Sequence, residues 1–125
     1  MKYQLVPPTP FSFESQAAQF DETGTPGIEL RRENASIGQP VDCVLYRNNT
    51  GVLDGILYFY PDGAPGLEQP GNVNIFVRPE AARTGIASRL LDHATRLFDI
   101  NLDQQLLTPS GKAFLDAYRR IRPNT

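Results

Sequence analysis

Residues 74–94 read NIFVRPEAARTGIASRLLDHA, and the change of period inside this stretch decides the fold. The residues Val73 to Val77 (VNIFV) are β-branched or aromatic at four of the five positions, which predicts a strand that ends at Pro79. Beyond Pro79 the apolar period moves from about 2 to about 3.6. Ile86, Leu90, Ala94, Leu97 and Phe98 then share one stripe of a helix running from about Gly85 to Phe98. Between strand and helix lies a turn of small residues, Ala81, Ala82, Thr84, Gly85 and Ala87. The first amides of a helix have no partner inside it, and small side chains leave them approachable. Together with the positive end of the helix dipole they form a seat for an anion such as a phosphate or pyrophosphate. Gly85 permits close backbone approach, and Arg78 and Arg83 flank the turn with positive charge.

Upstream of this stretch, prolines and glycines punctuate short apolar runs. Phe11 to Phe13 and Ile28 to Arg32 are strand candidates, the second as an edge. Val41 to Arg47 alternates Val41, Cys43 and Leu45 on one face, and Asn48 to Gly51 (NNTG) supplies hairpin turn chemistry. Val52 to Tyr60 is the return strand; from Ile56 on it is apolar on both faces, which predicts cover on both sides. Downstream, Leu106 and Leu107 form a short apolar segment. Thr108-Pro109 then starts a helix to about Ile121, with Phe114, Tyr118 and Ile121 on one face and Arg119 and Arg120 near its negative end. The order predicts an α+β (α/β-like) domain. A strand–helix–strand unit over roughly 73–108 is expected to form a right-handed parallel crossover on a mostly antiparallel sheet.

Length and charge narrow the function classes. At 125 residues the chain suits one domain that can hold a core without disulfides or metals. The lone Cys43 excludes an internal disulfide framework, and one Cys and one His without paired spacing argue against a zinc site, so no metal is expected. No apolar run approaches a membrane span and the N-terminus has no secretory pattern, so a cytoplasmic location is expected, with no membrane partner. The net charge of −2 divides unevenly: residues 1–77 carry four bases against nine acids, and residues 78–125 carry eight bases against five acids. The acidic balance argues against nucleic-acid binding. The basic last third suits a phosphate-bearing ligand.

The segment VRPEAARTGIASRLL resembles the acetyl-CoA-binding segment of the GNAT superfamily of N-acetyltransferases. Val77 and Pro79 match that family's Val-x-Pro. Gly85 and Ala87 match its Arg/Gln-x-x-Gly-x-Gly/Ala, and Leu90 and Leu91 its Leu-rich helix. The hairpin containing Asp54-Gly55 resembles the family's second and third strands, and the last helix offers Tyr118 at the place of a family tyrosine. The resemblance spans about residues 41–121 of a single domain over 1–125, with 1–40 divergent. Within the family it is most similar to short acetyltransferase-like proteins of actinobacterial phages.

The resemblance implies an acetyl-CoA-dependent N-acetyltransferase acting on an amine of a small molecule or protein. Backbone N–H groups of Arg83, Thr84, Gly85, Ile86, Ala87 and Ser88 would hold the pyrophosphate. Strand backbone at Phe76 and Val77 would bind the pantetheine arm, and Ser110 stands where the family has an Asn. Tyr118 would protonate the leaving thiolate. The Arg/Gln position falls on Ala82, Tyr118 lies one residue beyond the family spacing, and the chain stops near the end of the last helix, so the family's final strands are missing. These departures motivate an alternative: a degenerate member that binds CoA or a partner protein without turnover. An open sheet edge at Leu106–Leu107 would favour a homodimer that covers it.

Other residues carry less. His93 lies beside the apolar stripe of its helix and reads as structural, and Cys43 reads as core. Asp54, Asp62 and Glu68 are acids that could serve as bases, and Glu80 reads as a first-turn acid. The segment LTPSGKAFLDAYRRI also resembles the tail of winged-helix DNA-binding regulators, a reading that would require helices where 28–77 reads as strands.

Overall fold

The computed structural model describes residues 12–34, 40–63, 69–105 and 109–121. Four strands, β1 (Gly27–Asn34), β2 (Pro40–Arg47), β3 (Leu53–Tyr60) and β4 (Asn72–Val77), form one sheet in the order β1-β2-β3-β4. Every strand pairing among the described residues is antiparallel. Three helices accompany it: α1 (Phe13–Ala17), α2 (Ile86–Leu97) and α3 (Pro109–Ile121). The protein is therefore α+β, as the period change predicts. The expected strand at Leu106–Leu107 lies outside the described residues, as does the N-cap at Thr108, so the parallel crossover is not among the described pairings.

Alternation along the strands builds two cores, one on each face of the sheet. Val44, Leu57, Phe59, Ile75 and Val77 face α2, where Ile86, Leu90, Leu91 and Ala94 close over them, joined by Leu115 and Tyr118 of α3. Val41, Cys43, Leu45, Ile56, Tyr58 and Phe76 face the other way, against Phe13 of α1. β3 is covered on both sides, which is why it is apolar on both faces from Ile56 on. The strand candidate at 11–13 is corrected at its described end. Phe13 opens α1, because Ser12 caps the helix by accepting the Ser15 N–H at 3.2 Å, and Phe13 is the residue α1 buries.

The NNTG turn forms as its chemistry dictates. Asn48 Oδ1 accepts from the N–H groups of Thr50 (2.9 Å) and Val52 (3.1 Å) and from the Thr50 hydroxyl (2.7 Å). Gly51 takes the left-handed conformation (φ 83°) that completes the turn. Cys43 is 1% exposed. Burial pushes its thiol up to about 12, with the charges of Glu33 and Asp42 adding to the rise. A buried thiol held protonated is inert. We therefore expect Cys43 to resist maleimide or disulfide reagents in the folded chain and to react only after denaturation. Labelling followed by intact-mass measurement checks this, and stoichiometric labelling under native conditions would contradict the burial.

Candidate functional site

The segment between β4 and α2 holds the best-defined polar surface that the sequence points to. β4 gives way at Arg78 to a short 3-10 turn over Pro79–Ala81, and α2 begins at Ile86. The intervening backbone is unusual. Arg83 has φ 65°, the single non-glycine in the left-handed region among the described residues, and Gly85 follows at φ 85°. A non-glycine residue in that region is uncommon and costs energy unless its surroundings impose it. The Thr84 hydroxyl donates to the Ala81 carbonyl at 2.6 Å and ties the turn to the preceding one.

Gly85 is the N-cap of α2, and no side chain caps the helix. The first helical bond runs from Arg89 N–H to Gly85 O at 3.0 Å, so the amides of Ile86, Ala87 and Ser88 have no acceptor within the helix. A Cβ added at Gly85 would meet nothing within 4 Å, so the space beside this cap residue is open. Arg83, Thr84 and Gly85 are exposed and Ser88 is half-buried, while the side chains of Ile86 and Ala87 turn into the core. Arg83 makes no ion pair among the described residues and is exposed.

Arg78, the second flanking cation, is occupied elsewhere. Its Nε donates to Asp54 Oδ1 at 3.0 Å and its Nη2 to the Leu53 carbonyl at 2.8 Å, and its guanidinium lies 4.8 Å from the centre of the Phe13 ring. Asp54, one of the candidate bases, is spent in the same contact and also accepts from Asn48 Nδ2 at 2.8 Å. The Arg78–Asp54 pair is structural: it clamps the end of β4 to the start of β3. Among the other acids, Asp62 and Glu80 are exposed, and Glu68 lies outside the described residues.

The two strand residues divide. Arg78 N–H donates to Asp54 O, which makes residue 78 and, by alternation, Phe76 face β3 with their backbone groups. Val73 N–H donates outward to Gln105 Oε1 at 2.9 Å, which places Val73, Ile75 and Val77 on the outer edge. The Phe76 backbone serves the ladder, and its ring packs edge-on against Tyr58.

Tyr118 is 2% exposed on α3, and its hydroxyl donates to Asp92 Oδ1 on α2 at 2.7 Å. Asp92 lies six residues beyond Ile86, about 9 Å along the helix axis from the turn. The Tyr118–Asp92 contact joins two helices and is invisible in the sequence, because residues 26 apart meet only after both pack on the sheet. Ser110 lies in the first turn of α3; its side chain is outside the described residues. His93 is half-buried on the flank of α2. Two cavities lie away from the turn. One of about 700 Å³ sits at the far end of the sheet between the ion pair Arg32–Asp42 and Phe98. One of about 340 Å³ lies beside α1, between Phe13 and Phe20.

Among the described residues no group of His, Cys, Asp and Glu is arranged to hold a metal ion, and no helix is long and apolar enough to cross a membrane. Compared with known proteins, the chain matches no family model, no curated protein and no solved structure.

Proposed function

We propose that this chain binds acetyl-CoA at the turn between β4 and α2 and acts as an N-acetyltransferase on an amine of a small molecule or protein. One observation carries the reading. No side chain caps the amides of Ile86, Ala87 and Ser88, which follow an exposed turn bent through left-handed Arg83 and Gly85. Such a turn suits a pyrophosphate, which accepts several N–H bonds at once and gains from the helix dipole. Arg83 adds the charge that Arg78 cannot. In this reading the amine nitrogen attacks the thioester carbonyl and the carbon–sulfur bond breaks. Tyr118 gives its proton to the departing thiolate, and the proton shed by the nitrogen restores the phenol. Asp92 holds the phenol in place.

A second reading, binding without turnover, draws on the burial of Tyr118 and on the engagement of its hydroxyl with Asp92. Calorimetric titration with acetyl-CoA, and with CoA for comparison, tests binding. We expect micromolar affinity, weakened about tenfold by Arg83→Glu, which replaces attraction to a diphosphate by repulsion. Absence of both heat and thermal shift would remove the proposal. Release of free thiol in the presence of an amine panel, lost in Tyr118→Phe, separates the transferase from the binder.

A further inference from the structure

The outer edge of β1 is a self-complementary surface, and we propose that two copies of this chain pair through it in an antiparallel, two-fold arrangement centred on Leu30. β1 is the first strand of the sheet, and among the described residues nothing pairs with its outer side. It runs for eight residues and presents Ile28 (38% exposed) and Leu30 (49% exposed) on the face that α2 leaves uncovered at this edge.

The register of the whole sheet identifies which backbone groups point outward. Arg78 N–H bonds to Asp54 O, so Asp54, Ile56 and Tyr58 of β3 face β4 and Gly55, Leu57 and Phe59 face β2. Leu57 stands opposite Val44, so Asp42, Val44 and Tyr46 face β3, and Cys43 and Leu45 face β1. Cys43 stands opposite Arg31 and Leu45 opposite Glu29, so Glu29 and Arg31 spend their backbone groups on β2. The N–H and C=O groups of Ile28, Leu30 and Arg32 therefore point outward.

A second copy must meet these even-numbered residues with its own. With the axis at Leu30, each Leu30 exchanges both backbone bonds with the other, and Ile28 does the same with Arg32 of the second copy. Glu29 then falls opposite Arg31 of the second copy, and Arg31 opposite Glu29, at the closely spaced positions where cross-strand side chains interact most. Neighbouring registers are penalised. Moving the axis to Arg31 sets Arg31 against Arg31 and Glu29 against Glu33; moving it to Glu29 sets Glu29 against Glu29; moving it to Arg32 sets Arg32 against Arg32, although it pairs Arg31 with Glu33. The Leu30 register sets no like charges opposite one another, pairs Glu29 with Arg31 twice and brings the two exposed Leu30 side chains together. Within the chain Glu29 bonds Arg47 at 2.7 Å and Arg31 bonds Glu33 at 3.0 Å; both side chains lie on the face opposite Leu30 and remain part-exposed. The contact is isologous and closes at two copies, which removes an open edge without inviting fibres.

Cross-linking tests the register on the full chain. The Cα atoms of an opposed, bonded pair lie about 5.5 Å apart, within disulfide reach. Leu30→Cys should give a covalent dimer on mild oxidation. Ile28→Cys should not, since its two copies would stand about 13 Å apart, four residues along the strand. Cys43 is buried and does not compete. Sedimentation equilibrium should show a reversible dimer of the unmodified chain. Leu30→Lys should weaken it by about tenfold or more through like charges at the centre, with an unchanged circular dichroism spectrum. Leu30→Pro should do the same, since it removes an N–H that the dimer uses and the sheet of one chain does not. A chain that stays monomeric at its solubility limit overturns the proposal. So does a dimer indifferent to both Leu30 variants, or Ile28→Cys cross-linking in preference to Leu30→Cys.

Discussion

Replacing Arg78 by alanine should lower the unfolding free energy by about 3 kcal/mol, the scale of breaking a largely buried ion pair from one side. The residue ties three elements together. It bonds the Asp54 carboxylate and the Leu53 carbonyl of β3, it lies over the Phe13 ring of α1, and its own backbone continues the β3–β4 ladder. Asp54 is buried, so its carboxylate would keep only the Asn48 amide after the truncation. Lysine should recover only part of the loss, because an ammonium cannot reach Asp54 and the Leu53 carbonyl with one planar fork. Urea denaturation of the three proteins measures this. A midpoint for Arg78→Ala equal to that of the unmodified chain would show that the clamp contributes nothing.

Gly55→Val is expected to act on stability and on the candidate site together. Gly55 is where α2 rests on β3. A Cβ at that position would fall 2.6 Å from Ile86 Cγ2 and 3.0 Å from Leu90 Cδ1. Ile86 is the first residue of α2, so relief of the clash must lift the start of the helix, or the side chains behind it must rearrange. The cost should be about 3 kcal/mol, at the upper end for overpacking, because both neighbours are buried in the core. The lifted helix would carry the amides of Ile86, Ala87 and Ser88 with it. Affinity for acetyl-CoA, the ligand proposed for this turn, should therefore fall about tenfold or more even where the variant remains folded. Thermal unfolding and calorimetry on the same sample separate the two effects. Retained affinity beside lost stability would detach the ligand seat from the position of α2.

Much of the fold can be read from the chain because it rests on local periodicity. VDCVLYR, NNTG and VLDGILYFY specify a hairpin by alternation and turn chemistry, and the stretch from Pro79 to Phe98 changes period in one step. The structure places β2, β3, β4 and α2 there within a residue or two at each end. The candidate seat at 83–88 is legible for the same reason: the end of a strand and the start of a helix are both local events, and small residues mark the gap. Phe13 was the exception. An aromatic pair separated by one residue imitates a strand, and the cap at Ser12 decides for a helix.

What pairs with what is a different matter. Nothing local marks Arg78 for Asp54, Tyr118 for Asp92 or Arg32 for Asp42, since each pair is made by strand register or by two helices meeting. The flanking cations of the turn look alike in the sequence; packing assigns Arg78 to the interior and leaves Arg83 at the surface. The sequence by itself determined the α+β class, the two-sided cover of β3 and the position of the strand–turn–helix, because each follows from the spacing of apolar residues along a few turns or a few strand residues. Only the tertiary structure decided which arginine can meet an anion, where the Tyr118 proton is held and which backbone groups of β1 face outward. Those follow from contacts between residues far apart in the chain, which form only when the sheet sets its register and the helices pack upon it.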